Sequence, residues 1–241
     1  MAIGLARAAV LVLALIAGAA FAGDLADFNA AVENAAAHNR VAIGYLRTGN
    51  SDLAELEIDR LRAAWSALVE RFSGKRPDAF ADNELFGPTL TGVSARLVAA
   101  SLMLNSGRLE AARESLVAIR ADLSQLRRAS GIVLLADCVR DANAAMDALK
   151  AYNDRALDWT KPEIRFGIAA KASIYGHELE RCDAIAAEAV RKSPEFRRLI
   201  DGAKAGLALI PKAIATRDGE LLHRILIELR SFDNLLAFRF G

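Results

Sequence analysis

Between Ser51 and Phe72 the apolar residues Leu53, Leu56, Ile58, Leu61, Trp65, Leu68, Val69 and Phe72 recur chiefly at steps of three and four. A helix, with about 3.6 residues per turn, lines such a set along one stripe, and a strand does not. The same step returns from Leu109, through Ala112, Leu116, Ile119, Leu123 and Leu126, and again from Glu220, through Leu221, Ile225, Leu229, Phe232 and Leu236. Alanine and leucine dominate, the five prolines are spread along the chain, and no long run alternates β-branched with polar residues. The sequence therefore predicts an all-α fold.

Each of these three helices follows a tight polar turn: Thr48-Gly49-Asn50, Ser106-Gly107-Arg108 and Arg217-Asp218-Gly219. Each also carries an apolar-x-x-apolar-Arg core, at Ile58 to Arg62, Leu116 to Arg120 and Leu226 to Arg230. Asp52 is the expected N-cap of the first, with Glu55 three residues on. Further helical stretches, Phe28 to Leu46, Ser94 to Leu104 and Phe196 to Ala215, stand before the turns, so the unit reads as a helical hairpin used at least three times. The cores lie 58 residues apart (Ile58 to Leu116) and then 110 (Leu116 to Leu226), which leaves room for a fourth, degenerate hairpin from Ile132 to Arg191.

A hairpin cannot bury its apolar face alone, so the hairpins must pack on one another. Two arrangements absorb four of them: a pair of four-helix bundles, which we favour, or an α-solenoid-like stack. The expected bundles are 23–130 and 131–241, with the break at Ser130-Gly131. The first contains the long crossover 73–92, broken by Gly74, Pro77, Gly87, Pro88 and Gly92. Its Phe80, Leu85 and Phe86 are expected as apolar pegs of a plain crossover, with a lid over a cavity as the rival.

The first 22 residues predict a cleaved signal peptide. Arg7 precedes an apolar core from Ala8 to Ala17, and Ala20-Phe21-Ala22 before Gly23 suits signal peptidase. The core is short of the ~20 residues of a spanning helix. Ala2 stands where myristoylation needs a glycine, and no cysteine follows the leader to carry a lipid. The expected location is the periplasm, or secretion. Removing the leader takes away Arg7 alone among the charges and leaves 30 acidic residues matched by as many basic ones. Such a balance gives nucleic acid or anionic lipid no clustered cations to bind, and stable membrane insertion is not expected either.

Two cysteines in an exported chain suggest one bridge. Cys138 and Cys182 have their midpoint beside Trp159-Thr160-Lys161-Pro162, so an antiparallel hairpin turning there sets both sulfurs at one height. Closing that loop stabilises by up to about 4 kcal/mol. With no Cys-x-x-Cys in the chain, a structural disulfide is favoured over a redox or metal pair.

The remaining chemistry is sparse. Glu220-Leu221-Leu222-His223 has the Glu-x-x-His spacing of di-iron bundles, but those sites need a second copy and two further glutamates. His177, Glu178, Glu180 and Cys182 are poorly phased, because residues five apart diverge by about 140° on a helix. No Cys-x-x-Cys-His is present for covalent haem, and His38, His177, Met103 and Met146 are the only inward candidates for a non-covalent site. Gly-x-Ser-x-Gly and His-Glu-x-x-His are absent. We therefore expect no enzyme, no bound metal and no cofactor.

The C-terminus, from Arg230 to Gly241, is the chain's richest stretch in phenylalanine and arginine. Arg239 and Phe240 are its candidate partner surface, since interfaces favour such residues. The function expected is that of an exported helical interaction or scaffold protein whose partner is another exported or membrane protein. The alternative is a periplasmic carrier or sensor of a small ligand, haem or metal held within a bundle. No residue pattern specifies an oligomeric state.

Overall fold

The computed structural model describes residues 3–154 and 156–241, with side chains from Asp24 onward. The expected leader, 1–22 with its cut after Ala22, lies outside the described side chains. The elements are α1 (Ile3–Arg47), α2 (Ser51–Phe72), α3 (Phe86–Asn105), α4 (Leu109–Ala129), α5 (Leu135–Lys150), α6 (Pro162–Ile185), α7 (Glu188–Arg191), α8 (Pro194–Leu207), α9 (Ile210–Thr216) and α10 (Gly219–Phe240). Among the described residues there is no strand. Among those with described side chains, no helix is long and apolar enough to cross a membrane. The helices fall into two compact units, Met1–Ile132 and Val133–Gly241, each with its own core.

In the first unit α1 packs on α2 and α4, and α3 packs on the same two, which closes a ring of four helices. The buried apolar residues, with Asn39 among them, repeat in alternation of four and three. They are Phe28, Val32, Ala35, Asn39, Ala42 and Leu46 on α1, and Phe86, Leu90, Val93, Leu97, Ala100 and Leu104 on α3. On α2 they are Ala54, Ile58, Leu61, Trp65, Leu68 and Phe72, and on α4 Ala112, Leu116, Ile119, Leu123 and Leu126. A period of 3.5 is that of coiled-coil packing and suits a four-helix bundle rather than an open stack.

The first two turns are built alike. The N–H of Asn50 bonds to Tyr45 O and that of Gly49 to Leu46 O; in the second turn Arg108 bonds to Met103 O and Gly107 to Leu104 O. These are the paired bonds of a Schellman cap, and they require a left-handed residue, here Gly49 at φ 76° and Gly107 at φ 74°. Asn50, not Asp52, is the N-cap of α2; Asp52 lies in the first turn, where it faces the positive end of the helix dipole.

The crossover is shorter than 73–92, because α3 begins at Phe86. Gly87 and Pro88 fall in its first turn, where a missing N–H leaves no helical bond unmade. Phe80 and Phe86 are buried pegs, as a plain crossover requires, and meet Phe28 with ring centroids 5.3 and 5.6 Å away. Asn83 ties the segment to α4 by donating from Nδ2 to Leu126 O (2.9 Å) and Ser130 Oγ (2.7 Å).

The second unit closes as a ring of α5, α6, α8 and α10. The stretch from Phe196 to Ala215 is two helices rather than one, broken at Ala208-Leu209 ahead of Pro211, whose ring removes a backbone donor. The turn before α10 is one residue earlier than the sequence suggests. Arg217 is the left-handed position (φ 52°), Asp218 the N-cap, and Asp218 N–H bonds to Ala213 O, matching the two glycine turns.

Cys138 on α5 and Cys182 on α6 form a disulfide with Cα atoms 5.4 Å apart, and both are fully buried. Cys138 stands about 18 Å from the end of α5 and Cys182 about 30 Å from the start of α6. The sulfurs meet because α6 overhangs α5: a Cβ placed on Gly167 would run into the Tyr152 hydroxyl, just past the end of α5.

Candidate functional site

Helix α6 departs from the amphipathic build of its neighbours. Pro162 opens it, and up to Gly176 its charges are Glu163, Arg165 and Lys171. One stripe, Ile168, Tyr175, Leu179 and Cys182, is buried in the ring. The opposite side is apolar as well. Phe166 is 73% exposed and Ile174 48%. A helix apolar all round is normally covered on every side.

Along that helix runs a groove of about 610 Å³. Its floor is Ala169, Ala172, Ser173 and Gly176 of α6, and its walls are Leu207 of α8 with Ile210, Pro211 and Ile214 of α9. The break at Ala208-Leu209, ahead of Pro211, falls within this wall. Gly176 deepens the floor, since a Cβ there would rest 3.5 Å from Leu207 Cδ1.

At one end the groove shares Glu180 and Lys204 with a charged cleft of about 680 Å³, which Asp183, Arg191, Lys192 and Arg197 also line. Most of these charges are already paired. Arg197 holds Asp183 at 2.7 and 3.2 Å, Lys192 holds Glu188 at 2.5 Å, and Lys204 stands 3.9 Å from Glu180. Arg197 also stands 3.6 Å from Asp201, and Arg191 has no ion pair among the described residues; the cleft itself is lined by four cations, Arg191, Lys192, Arg197 and Lys204, against the carboxylates Glu180 and Asp183.

Beneath α6 lies a small polar cluster. Asp233, buried on α10, accepts from Asn143 Nδ2 (2.7 Å) and from Arg230 (3.0 Å). Tyr175 faces it with a hydroxyl that has no hydrogen-bond partner among the described residues. Burial, and secondarily the charge of Asp233, push the phenol far above its ordinary 10.0, so it stays neutral.

The residues singled out in the sequence are scattered. His38 on α1 bonds Glu57 through Nδ1 at 2.7 Å. His177 is exposed on α6, and His223 pairs through Nδ1 with Asn153 at 2.7 Å, so its ring is engaged by a side chain other than Glu220. Met146 is buried in the second core, while Met103 only packs against the first. Among the described residues no three His, Cys, Asp or Glu side chains gather as a metal site.

Arg239 is exposed and Phe240 half-buried at the end of α10. Arg239 pairs with Glu195 at 2.8 Å, and Phe240 packs edge-on against buried Phe196 at 5.2 Å. Through Phe240 the last turn of α10 reaches the start of α8 and adds to the second core. What the sequence reading passed over is the outward side of α6, and the signal for it was there: Phe166, Ala169, Ala170, Ser173 and Ile174 leave the first four turns without a polar face. Comparison with protein-family models, curated proteins and solved structures finds no match to this chain.

Proposed function

We propose that this is an exported, disulfide-bonded helical docking protein that holds another exported or membrane protein against the outward side of α6. The observation that carries the reading is Phe166, a phenylalanine 73% exposed on a helix whose buried stripe lies elsewhere, near an apolar groove. Exposed apolar surface of this kind marks interaction sites. The internal disulfide suits the periplasm, where such bonds persist.

A second reading, carriage of a small apolar ligand, draws on the volume of the groove, which falls in the range of roughly 300–1,000 Å³ common to ligand sites. Cross-linking of the full chain in its own compartment separates the two. Docking predicts a discrete protein adduct that Phe166→Asp removes while the circular dichroism and melting of the variant match the parent. An adduct indifferent to Phe166→Asp, or none at all, would sink the docking reading.

A further inference from the structure

Resting on that docking reading, we propose that the groove between α6 and α9 receives an amphipathic helix of the partner, about three turns long. Its acidic C-terminal end lies against Arg191 and Lys204. Three features of the site define this occupant. The first is length: the floor from Ala169 to Glu180 covers about 16 Å of α6, the rise of three helical turns.

The second is backbone chemistry. The floor is the middle of a long helix whose N–H and C=O groups are bonded internally, and the walls are helices too, so an extended peptide laid in the groove would find no strand edge to pair with and would bury most of its own polar groups unpaired. A helix satisfies its backbone itself and needs only an apolar stripe. The small floor residues, Ala169, Ala172, Ser173 and Gly176, let its ridge approach closely, while Ile210 and Ile214 fill its flanks.

The third is charge. The groove is apolar toward Phe166, the cleft at its other end is lined by four cations against Glu180 and Asp183, and Lys204 has only the long contact with Glu180 to offset it. A helix carries partial negative charge at its C-terminus, which acidic residues in its last turn reinforce. Orientation follows, with the partner's N-terminal end toward Phe166 and its C-terminal end toward the basic cleft.

The test places a photoreactive residue, one at a time, at Ala169, Ser173, Ala184 and Phe166 of the full chain in its native compartment and maps each adduct by mass spectrometry. Ala169, Ser173, Ala184 and Phe166 are all exposed, so the fold tolerates the probes. The proposal expects adducts in one partner segment with apolar residues three and four apart, the Ala184 probe striking nearer its acidic C-terminal end than the Ala169 probe. Ser173→Trp should abolish the Ala169 adduct by filling the groove, and Lys204→Glu should reduce it severalfold, both with unchanged melting. A mapped segment without the helical step, the reverse order of adducts, or a lipid adduct alone at Ser173 would overturn it. Protein adducts from Phe166 with none from Ser173 would overturn the groove assignment and leave docking standing, whereas none from any position would remove both.

Discussion

Asn39 is the one polar side chain in the buried stripe of α1, 2% exposed, with its amide nitrogen on Leu116 O at 3.2 Å and its Oδ1 without a partner among the described residues. The matching position of α3 is Leu97. An unsatisfied buried acceptor costs more than one long hydrogen bond returns, so Asn39→Leu should raise stability by about 1 kcal/mol in thermal unfolding. A loss instead would show that Asn39 specifies the register of the core. Glu57 makes a pH prediction. Burial by itself would raise its carboxyl, but hydrogen bonds from His38 and Arg60 outweigh it and hold the group below its ordinary 4.5. A depressed acid stabilises the folded state above its unfolded value, and that contribution disappears as pH falls below 4.5 toward the folded value. The melting temperature of the first unit should therefore drop through that window, and Glu57→Gln should flatten the drop. Neither residue announced its role in the sequence: Asn39 and Glu57 are polar types that surface helices carry everywhere, and only the ring of neighbours reveals them as buried.

At the scale of the element, the hairpin was legible because its grammar is local. Turn glycines, a step of three and four, and an Arg after each core lie within a few residues of one another, and the structure turns and packs there. The repeat runs deeper than those cores. Phe28, Phe86 and Phe196 each stand 21 residues before the left-handed turn residue, in the first, second and fourth hairpins, and each is buried. The third turn was read one residue late because Arg217 stands where the others have glycine, and an arginine does not signal a left-handed residue. Arg217→Gly should accordingly stabilise the second unit by roughly 0.5–1 kcal/mol, measured by denaturant unfolding, whereas Gly107→Ala should cost a similar amount in the first. The overlong crossover has a similar cause. Gly87 and Pro88 punctuate a sequence wherever they fall, and only the cap position of Leu85 shows that they sit inside the first turn of α3.

At the scale of the whole molecule, each unit buries its own core, and the one covalent tie lies wholly within the second. Reduction should lower the calorimetric transition of residues 133–241, by up to about 4 kcal/mol in stability, and leave that of the first unit in place. A fall in both transitions would contradict independent cores. The all-α class and the cysteine pairing were readable in advance because both follow from periodicity and parity. The groove was not, since it forms where α6 meets the end of α8 and α9, a tertiary arrangement that no local pattern encodes.

The central claim, that the outward side of α6 and its groove with α9 hold a partner protein, is tested most directly by hydrogen exchange of the full chain, alone and with the co-purified partner. α9 is seven residues long and its amides should open readily in the free protein. The account predicts that partner binding slows exchange in α9 and in residues 166–180 while α2, α3 and α4 are unchanged. Protection gained on the first unit, or no change in α9, would contradict it.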